Sequence, residues 1–230
     1  RIRHLLTHTA GLDNDYLNLA VTDPRQVMPL LVYLKTHLPA QIAAPGERTG
    51  YSNHGYGILG AVIEAACRCT YGDYVQREIF DRAGLARSAI NTHARATGLN
   101  RATGYFYREK TITEPHLYEH MSAAGAALMS LPDVVQLLLA LDAGELMSPA
   151  AAAQLTEVQF TNDARLGGGY GFGFWRAPGY RTPVWLCGGD VPGQSTRVLY
   201  MPEHRFAAVV AVNRKDSYPA EGLLREFLNP

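Results

Sequence analysis

The hydrophobic period of this chain changes once along its length, and that change restricts the fold more than any other feature. Up to about Gln159 the apolar residues recur at helical spacing, and after Gly169 they alternate, the pattern of a helical region followed by strands. Asp23-Pro24 is a helix start, a capping residue followed by proline in the first turn, and Val27, Leu30, Leu31 and Leu34 then share one face. Residues 54–66 and 71–80 also read as helices, the second ended by Gly84. Two more, 132–141 and 148–158, open on prolines near the first turn. Beyond them, residues 171–175, 184–187, 195–201 and 205–212 read as strands, the last two joined by the hairpin-length link Pro202-Glu203-His204. A closing helix is expected over 220–228, with Leu223, Leu224 and Phe227 on one stripe. The expected fold class is α+β, an antiparallel sheet flanked by helices plus a mainly helical region. Residues 1–230 form one domain in this reading, 1–165 mainly helical and 166–230 carrying the strands and the closing helix.

With 230 residues, 47% of them hydrophobic and 18% charged, the chain can bury sizeable cores without disulfides or metals. Lys plus Arg equals Asp plus Glu, at 21 each, so there is no basic field to hold nucleic acid, and no nucleic-acid partner is expected. Cys67, Cys69 and Cys187 make an odd count. Two cysteines two apart in a helix do not easily join without strain, so no disulfide framework is expected. The longest apolar runs, such as 134–141, are too short to span a bilayer. The opening Arg1-Ile2-Arg3-His4-Leu5-Leu6 is already in mid-pattern and has no signal-peptide character, an opening expected if an upstream segment has been lost.

Four stretches carry the chemistry. They are Arg3-His4-Leu5-Leu6-Thr7-His8-Thr9-Ala10-Gly11-Leu12, the Tyr51-Ser52-Asn53 core within residues 45–60, Ser122-Ala123-Ala124-Gly125, and Cys187-Gly188-Gly189-Asp190-Val191-Pro192-Gly193. Together they resemble the serine beta-lactamase-like hydrolases, the family of class C beta-lactamases, D-Ala-D-Ala carboxypeptidases and related esterases. The resemblance implies that the first string follows a Ser-x-x-Lys motif holding the nucleophile and its activating lysine. No Ser-x-x-Lys occurs here, because Val32, Tyr107 and Val212 stand three residues before Lys35, Lys110 and Lys215. The nucleophile is therefore expected outside these residues, and the 230 residues by themselves are expected to be inactive.

The same resemblance makes Tyr51 the group that takes the serine proton and returns it to the leaving group, a role a phenol fills only if cations lower its pKa. Asn53 offers an amide that can hold the motif lysine and a substrate carbonyl, although Asn is also a favoured N-cap and stands just before a helix. Ser122 and Gly125 are expected to be structural, small residues that permit close backbone approach. In the last stretch the family has Lys or His, any residue, then Gly, whereas here Cys187 stands at the cation's place. Gly188 and Gly189 leave a strand edge on which a substrate can pair, and the Asp190 amide is expected, by resemblance, to be one of two oxyanion donors.

Two rival readings are weaker. His4 and His8 have the i, i+4 spacing of a metal pair, but no third ligand follows at a recognisable distance, so no metal and no cofactor is expected. Cys187 as a replacement nucleophile would need a paired base that the resemblance does not supply. The expected function is a serine hydrolase working through an acyl-enzyme on a beta-lactam, a D-amino-acid peptide or an ester. The alternative is a non-catalytic homologue that keeps the cleft for binding. A small-molecule or peptide substrate is the expected partner, with no membrane span in this chain. Oligomeric state is left open, and so is the compartment: the family suggests the periplasm or secretion, while the cytoplasm stays possible.

Overall fold

The computed structural model describes residues 1–14, 19–107, 111–161, 168–178 and 180–214, together with positions 222 and 226. The chain opens on α1 (Ile2–Leu6), capped by Thr7 and followed by His8 in the left-handed region at φ 55°. Thr9 N–H donates to His4 O at 2.8 Å and His8 N–H to Leu5 O at 3.3 Å, the paired closure by which a helix satisfies its last carbonyls. His4 and His8 are thus not on one helical face, and the i, i+4 premise of a metal pair fails. After β1 (Ala20–Val21), Asp23 caps as expected by accepting from Arg25 N–H, but the turn it opens, Pro24–Gln26, is a single 3₁₀ turn. Val27 is extended, and α2 (Leu30–His37) begins only after Pro29, which disfavours helical backbone in the residue before it. The helix buries Leu30, Tyr33 and Leu34, while Leu31 is 55% exposed, so Leu31 does not share the buried face expected of it.

α3 (Asn53–Cys67) is followed by α4 (Tyr71–Val75), which runs into a π-helical stretch, Gln76–Phe80. Gly84, at φ 69°, closes the turn beyond it. A disulfide joins Cys67 to Cys69, contrary to expectation. Arg68 ends α3 in the left-handed region, so Cys69 leaves the helix and the two Cα atoms stand 5.3 Å apart, within ordinary disulfide range.

The region expected to be helical is also interrupted by short strands. β2 (Ser88–Ile90), β3 (Gly104–Tyr107), β4 (Thr111–Glu114), β5 (Tyr118–Glu119) and β6 (Ala127–Met129) join β1 in three two-stranded antiparallel pairs, β1 with β5, β2 with β6 and β3 with β4. Strands of two to four residues are too short to show an alternation. α5 (Leu131–Asp142) and α6 (Pro149–Leu155) start where expected, on Ser130 and Ser148 caps. α6 stops short of 158 because Gln159 N–H donates to Tyr170 O at 2.7 Å and Phe160 bridges to Tyr170, drawing this segment toward the sheet.

That sheet is antiparallel and five-stranded, in the order β11-β10-β9-β8-β7. β7 (Gly169–Tyr170) and β8 (Trp175–Arg176) replace the strand expected over 171–175; residues 171–174 are instead the turn between them, with Gly173 at φ 97°. β9 (Trp185–Val191) runs four residues beyond the strand expected over 184–187, while β10 (Gln194–Met201) and β11 (Phe206–Val212) lie close to their expected bounds and form the expected hairpin; burial does not alternate along the three strands. β8 pairs with β9 only at Trp185 and Leu186. From Cys187 to Val191, β9 therefore has β10 on one side and, among the described residues, no strand on the other. α5 fastens the helical part to the sheet, packing Leu138 against Trp185 and Tyr200, while Asp142 pairs with Arg205 at 3.1 Å. The expected closing helix over 220–228 lies outside the described residues apart from positions 222 and 226.

Candidate active site

Tyr51 and Asn53 meet at the N-terminus of α3. The Tyr51 hydroxyl donates to Asn53 Oδ1 at 2.9 Å, and Tyr51 is 50% exposed. Ser52, not Asn53, is the N-cap: its hydroxyl accepts from Gly55 N–H at 3.3 Å. Asn53 is the first helical residue, its backbone N–H held by Asn14 Oδ1 at 3.0 Å, so its side chain is not committed to capping. Asn and Ser cap equally well, so the Ser52–Gly55 bond, and not residue type, marks the helix start.

His8 holds this turn in place. Its Nδ1 accepts from Ser52 N–H at 3.1 Å, its carbonyl accepts from Gly50 N–H at 2.7 Å, and its ring lies 4.5 Å from Tyr51, 5.0 Å from Tyr56 and 5.5 Å from Tyr170. An imidazole that accepts at Nδ1 is neutral there, and burial lowers its pKa from 6.5 to about 4. The unfolded chain thus takes up this proton near pH 6.5 while the folded chain resists it until about pH 4. The contribution of His8 is complete above about pH 6.5 and is lost as pH falls toward 4, about 3 kcal/mol in all. Urea midpoints measured between neutral pH and about pH 4.5 should fall accordingly, and His8→Gln should flatten that decline. An unchanged decline in the variant would exclude His8 as its source.

Tyr56, one turn into α3, donates to Leu6 O at 3.0 Å. Burial raises its phenol pKa, and charge on Cys187, Tyr51 or Tyr170 would raise it further, which places these four side chains in one electrostatic neighbourhood. Cys187 is solvent-accessible, yet it stands in a crowded cleft wall, and burial pushes its thiol up. It is therefore a neutral group and supplies no positive charge beside Tyr51.

On the next residues of the β9 edge, a Cβ at Gly188 would collide with the Thr196 carbonyl, whereas one at Gly189 would meet nothing within 4 Å. Gly188 is required by the β9–β10 approach, and Gly189 leaves open space. The Asp190 carboxylate accepts from Ser195 Oγ and pairs with Arg197 at 2.9 Å, so its side chain locks β9 to β10. Ser122–Ala124 forms a 3₁₀ turn against α3, where a Cβ at Gly60 would meet Ala123 Cβ at 2.7 Å; this close approach is what the small residues allow. Among the described residues no group of three or more His, Cys, Asp and Glu side chains could hold a metal ion. No helix among them is long and apolar enough to cross a membrane.

The sequence profile of the beta-lactamase family matches residues 1–228. The chain belongs to the beta-lactamase family. Penicillin-binding protein 4* of Bacillus subtilis (strain 168) is 26% identical over 94% of this chain, and the human mitochondrial serine beta-lactamase-like protein LACTB is 31% identical over 37% of it. The chain spans 51% of the length of the first and 16% of the second. Among solved structures, a penicillin-binding protein from Bacillus halodurans superposes with a TM-score of 0.79 at 25% identity, covering 98% of this chain and 71% of that one. The octameric penicillin-binding protein homologue from Pyrococcus abyssi gives 0.81 at 23% identity, covering 98% and 55%. The D-amino acid amidase from Ochrobactrum anthropi gives 0.75 at 18% identity, covering 99% and 72%. The last two likenesses concern the fold alone.

Tyr51, Asn53 and Cys187 were named by motif. Tyr170 and Asn14 were not: each reaches the site across the chain, and only the glycines flanking Tyr170 marked its surroundings.

Proposed function

We propose that the intact protein is a serine hydrolase that forms an acyl-enzyme, with Tyr51 as proton acceptor and donor and Asn53 positioning both Tyr51 and the substrate carbonyl. The observation that carries this reading is the Tyr51 hydroxyl on Asn53 Oδ1, in the same electrostatic neighbourhood of Tyr56 as Cys187 on the open stretch of β9. A substrate lying along Cys187–Asp190 would add its backbone to the edge, and the Asp190 amide would donate to the oxyanion. The serine and its lysine are assigned to residues beyond these 230, which carry no Ser-x-x-Lys. The 230 residues alone would then lack the covalent step. Beta-lactams, D-amino-acid peptides or amides and simple esters are the substrate class, supported by relatives described as penicillin-binding proteins and by the fold shared with a D-amino acid amidase.

Cys187 favours a second reading, a non-catalytic homologue, because a neutral thiol leaves Tyr51 without the cation the mechanism uses. Turnover of nitrocefin and short-chain p-nitrophenyl esters separates the two. On the first reading the intact protein hydrolyses at least one of them, and Cys187→Lys raises kcat/KM about tenfold by drawing the phenol pKa down. No turnover by either form leaves the binding homologue.

A further inference from the structure

Beyond the far end of the β9 edge lies a cavity of about 60 Å³ whose walls include Asn91, Arg101, Glu119, Gly125, Val191 and Gln194. A single water needs about 10–15 Å³ by this measure, so the space suits a group of several heavy atoms. Its polar walls are incompletely bonded. Arg101 Nε and Asn91 Oδ1 are buried without a hydrogen-bond partner, and Asn91 is only 7% exposed. Arg101 otherwise reaches the Tyr118 hydroxyl at 3.4 Å and lies 5.5 Å over that ring. The Asn91 amide nitrogen is already given to Leu117 O at 3.1 Å. The Glu119 carboxyl makes no hydrogen bond or ion pair among the described residues, and burial raises its pKa to about 7. Gly125 keeps that carboxyl's room, since a Cβ there would stand 3.4 Å from Glu119 Oε2. Buried groups of this kind normally find partners, and a donor left over on one wall with two acceptors left over on others calls for a ligand with both polarities.

We propose that this cavity binds the zwitterionic head of an α-amino acid, its carboxylate on Arg101 and its ammonium on Glu119 and Asn91 Oδ1. A simple anion would satisfy Arg101 and leave Glu119 without a counter-charge; a simple cation would do the reverse. The head comes either from a free amino acid or from a substrate side chain that ends in an unlinked α-amino-acid group. The second source is sterically direct, because Val191 belongs both to the open β9 edge and to the cavity wall. The titratable side chains lining the cavity are Arg101, His116 and Glu119, and burial followed by the Arg101 charge lowers the His116 pKa. A bound ammonium therefore acts on Glu119, which it draws into the ionised form with release of a proton near pH 7.

Calorimetric titration of the intact protein with glycine and with D-alanine tests this, with acetate and methylammonium as single-charge controls. The expected result is saturable binding of the zwitterions, at least tenfold weaker binding of both controls, and an apparent enthalpy that follows the buffer's ionisation enthalpy. Glu119→Gln should weaken binding at least tenfold and abolish the buffer dependence, and Arg101→Gln should weaken it at least tenfold. Unchanged urea midpoints in both variants would show that they fold. Competitive inhibition of turnover by glycine assigns the cavity to such a substrate side chain, and binding without inhibition assigns it to a free amino acid. No saturable binding, or equal binding by the unmodified protein and both variants, overturns the proposal. The titration requires no turnover, so it stands or falls apart from the hydrolase reading.

Discussion

Tyr51→Phe in the intact protein is expected to lower kcat/KM by a hundredfold to ten-thousandfold while leaving the fold unchanged. The variant removes one oxygen from a side chain that is half exposed, so the packing loss is small. It also removes the proton carrier that the serine needs, and general acid–base catalysis is worth about that range of rate. The Asn53 amide would lose the donor at 2.9 Å but keep its backbone tie to Asn14. The ring contact with His8 at 4.5 Å does not depend on the hydroxyl. Steady-state rates on the best substrate, read beside urea midpoints, separate the two effects. A loss of activity matched by a collapse of stability would show Tyr51 acting as scaffold and not as proton carrier.

Among the described glycines, Gly11→Ala should produce the largest loss of stability, about 3 kcal/mol or more, seen as a lower urea midpoint. Gly11 adopts φ 75°, where an L side chain is strained by about 1–2 kcal/mol. A Cβ there would also collide with the Ala43 carbonyl, a backbone atom that cannot rotate away, and overpacking costs typically about 1–3 kcal/mol more. The Gly11 carbonyl accepts from Ile42 and Ala43 N–H at 2.7 and 3.3 Å, so the clash falls on the pairing that delivers the chain to Pro45 and on to Tyr51. Activity should fall along with stability. A midpoint within about 0.5 kcal/mol of the parent would show that the 42–43 segment yields freely.

The elements that the sequence reveals are those long enough to repeat a period. β10 and β11 are unbroken runs of eight and seven residues on either side of Pro202-Glu203-His204, and their hairpin follows. α3 and α5 carry apolar stripes over 15 and 12 residues. β1 and β5, with two residues each, exist because Ala20 meets Glu119 across nearly a hundred positions, and no local pattern records that. α2 begins later than its apolar spacing implies for a local reason, the hold of Pro29 on Met28, and the disulfide is not legible in the sequence because one left-handed residue, Arg68, takes Cys69 out of the helix.

The candidate site divides in the same way. Tyr51 and Asn53 are two residues apart, and their hydrogen bond is a consequence of one turn entering one helix. Cys187, Tyr170 and the pair His8 and Asn14 come from three separate segments, so their convergence on that turn belongs to tertiary structure. The choice between Ser52 and Asn53 as the cap is decided by a single hydrogen bond to Gly55, since both residue types cap well.

Mass spectrometry of the intact protein after exposure to a fluorophosphonate or a penicillin tests the hydrolase reading most directly. The expected result is one covalent adduct on a serine that is followed by a residue pair and a lysine, forming much more slowly in Tyr51→Phe. An adduct on Cys187, an adduct that forms at the same rate without the Tyr51 hydroxyl, or no adduct at all would contradict it.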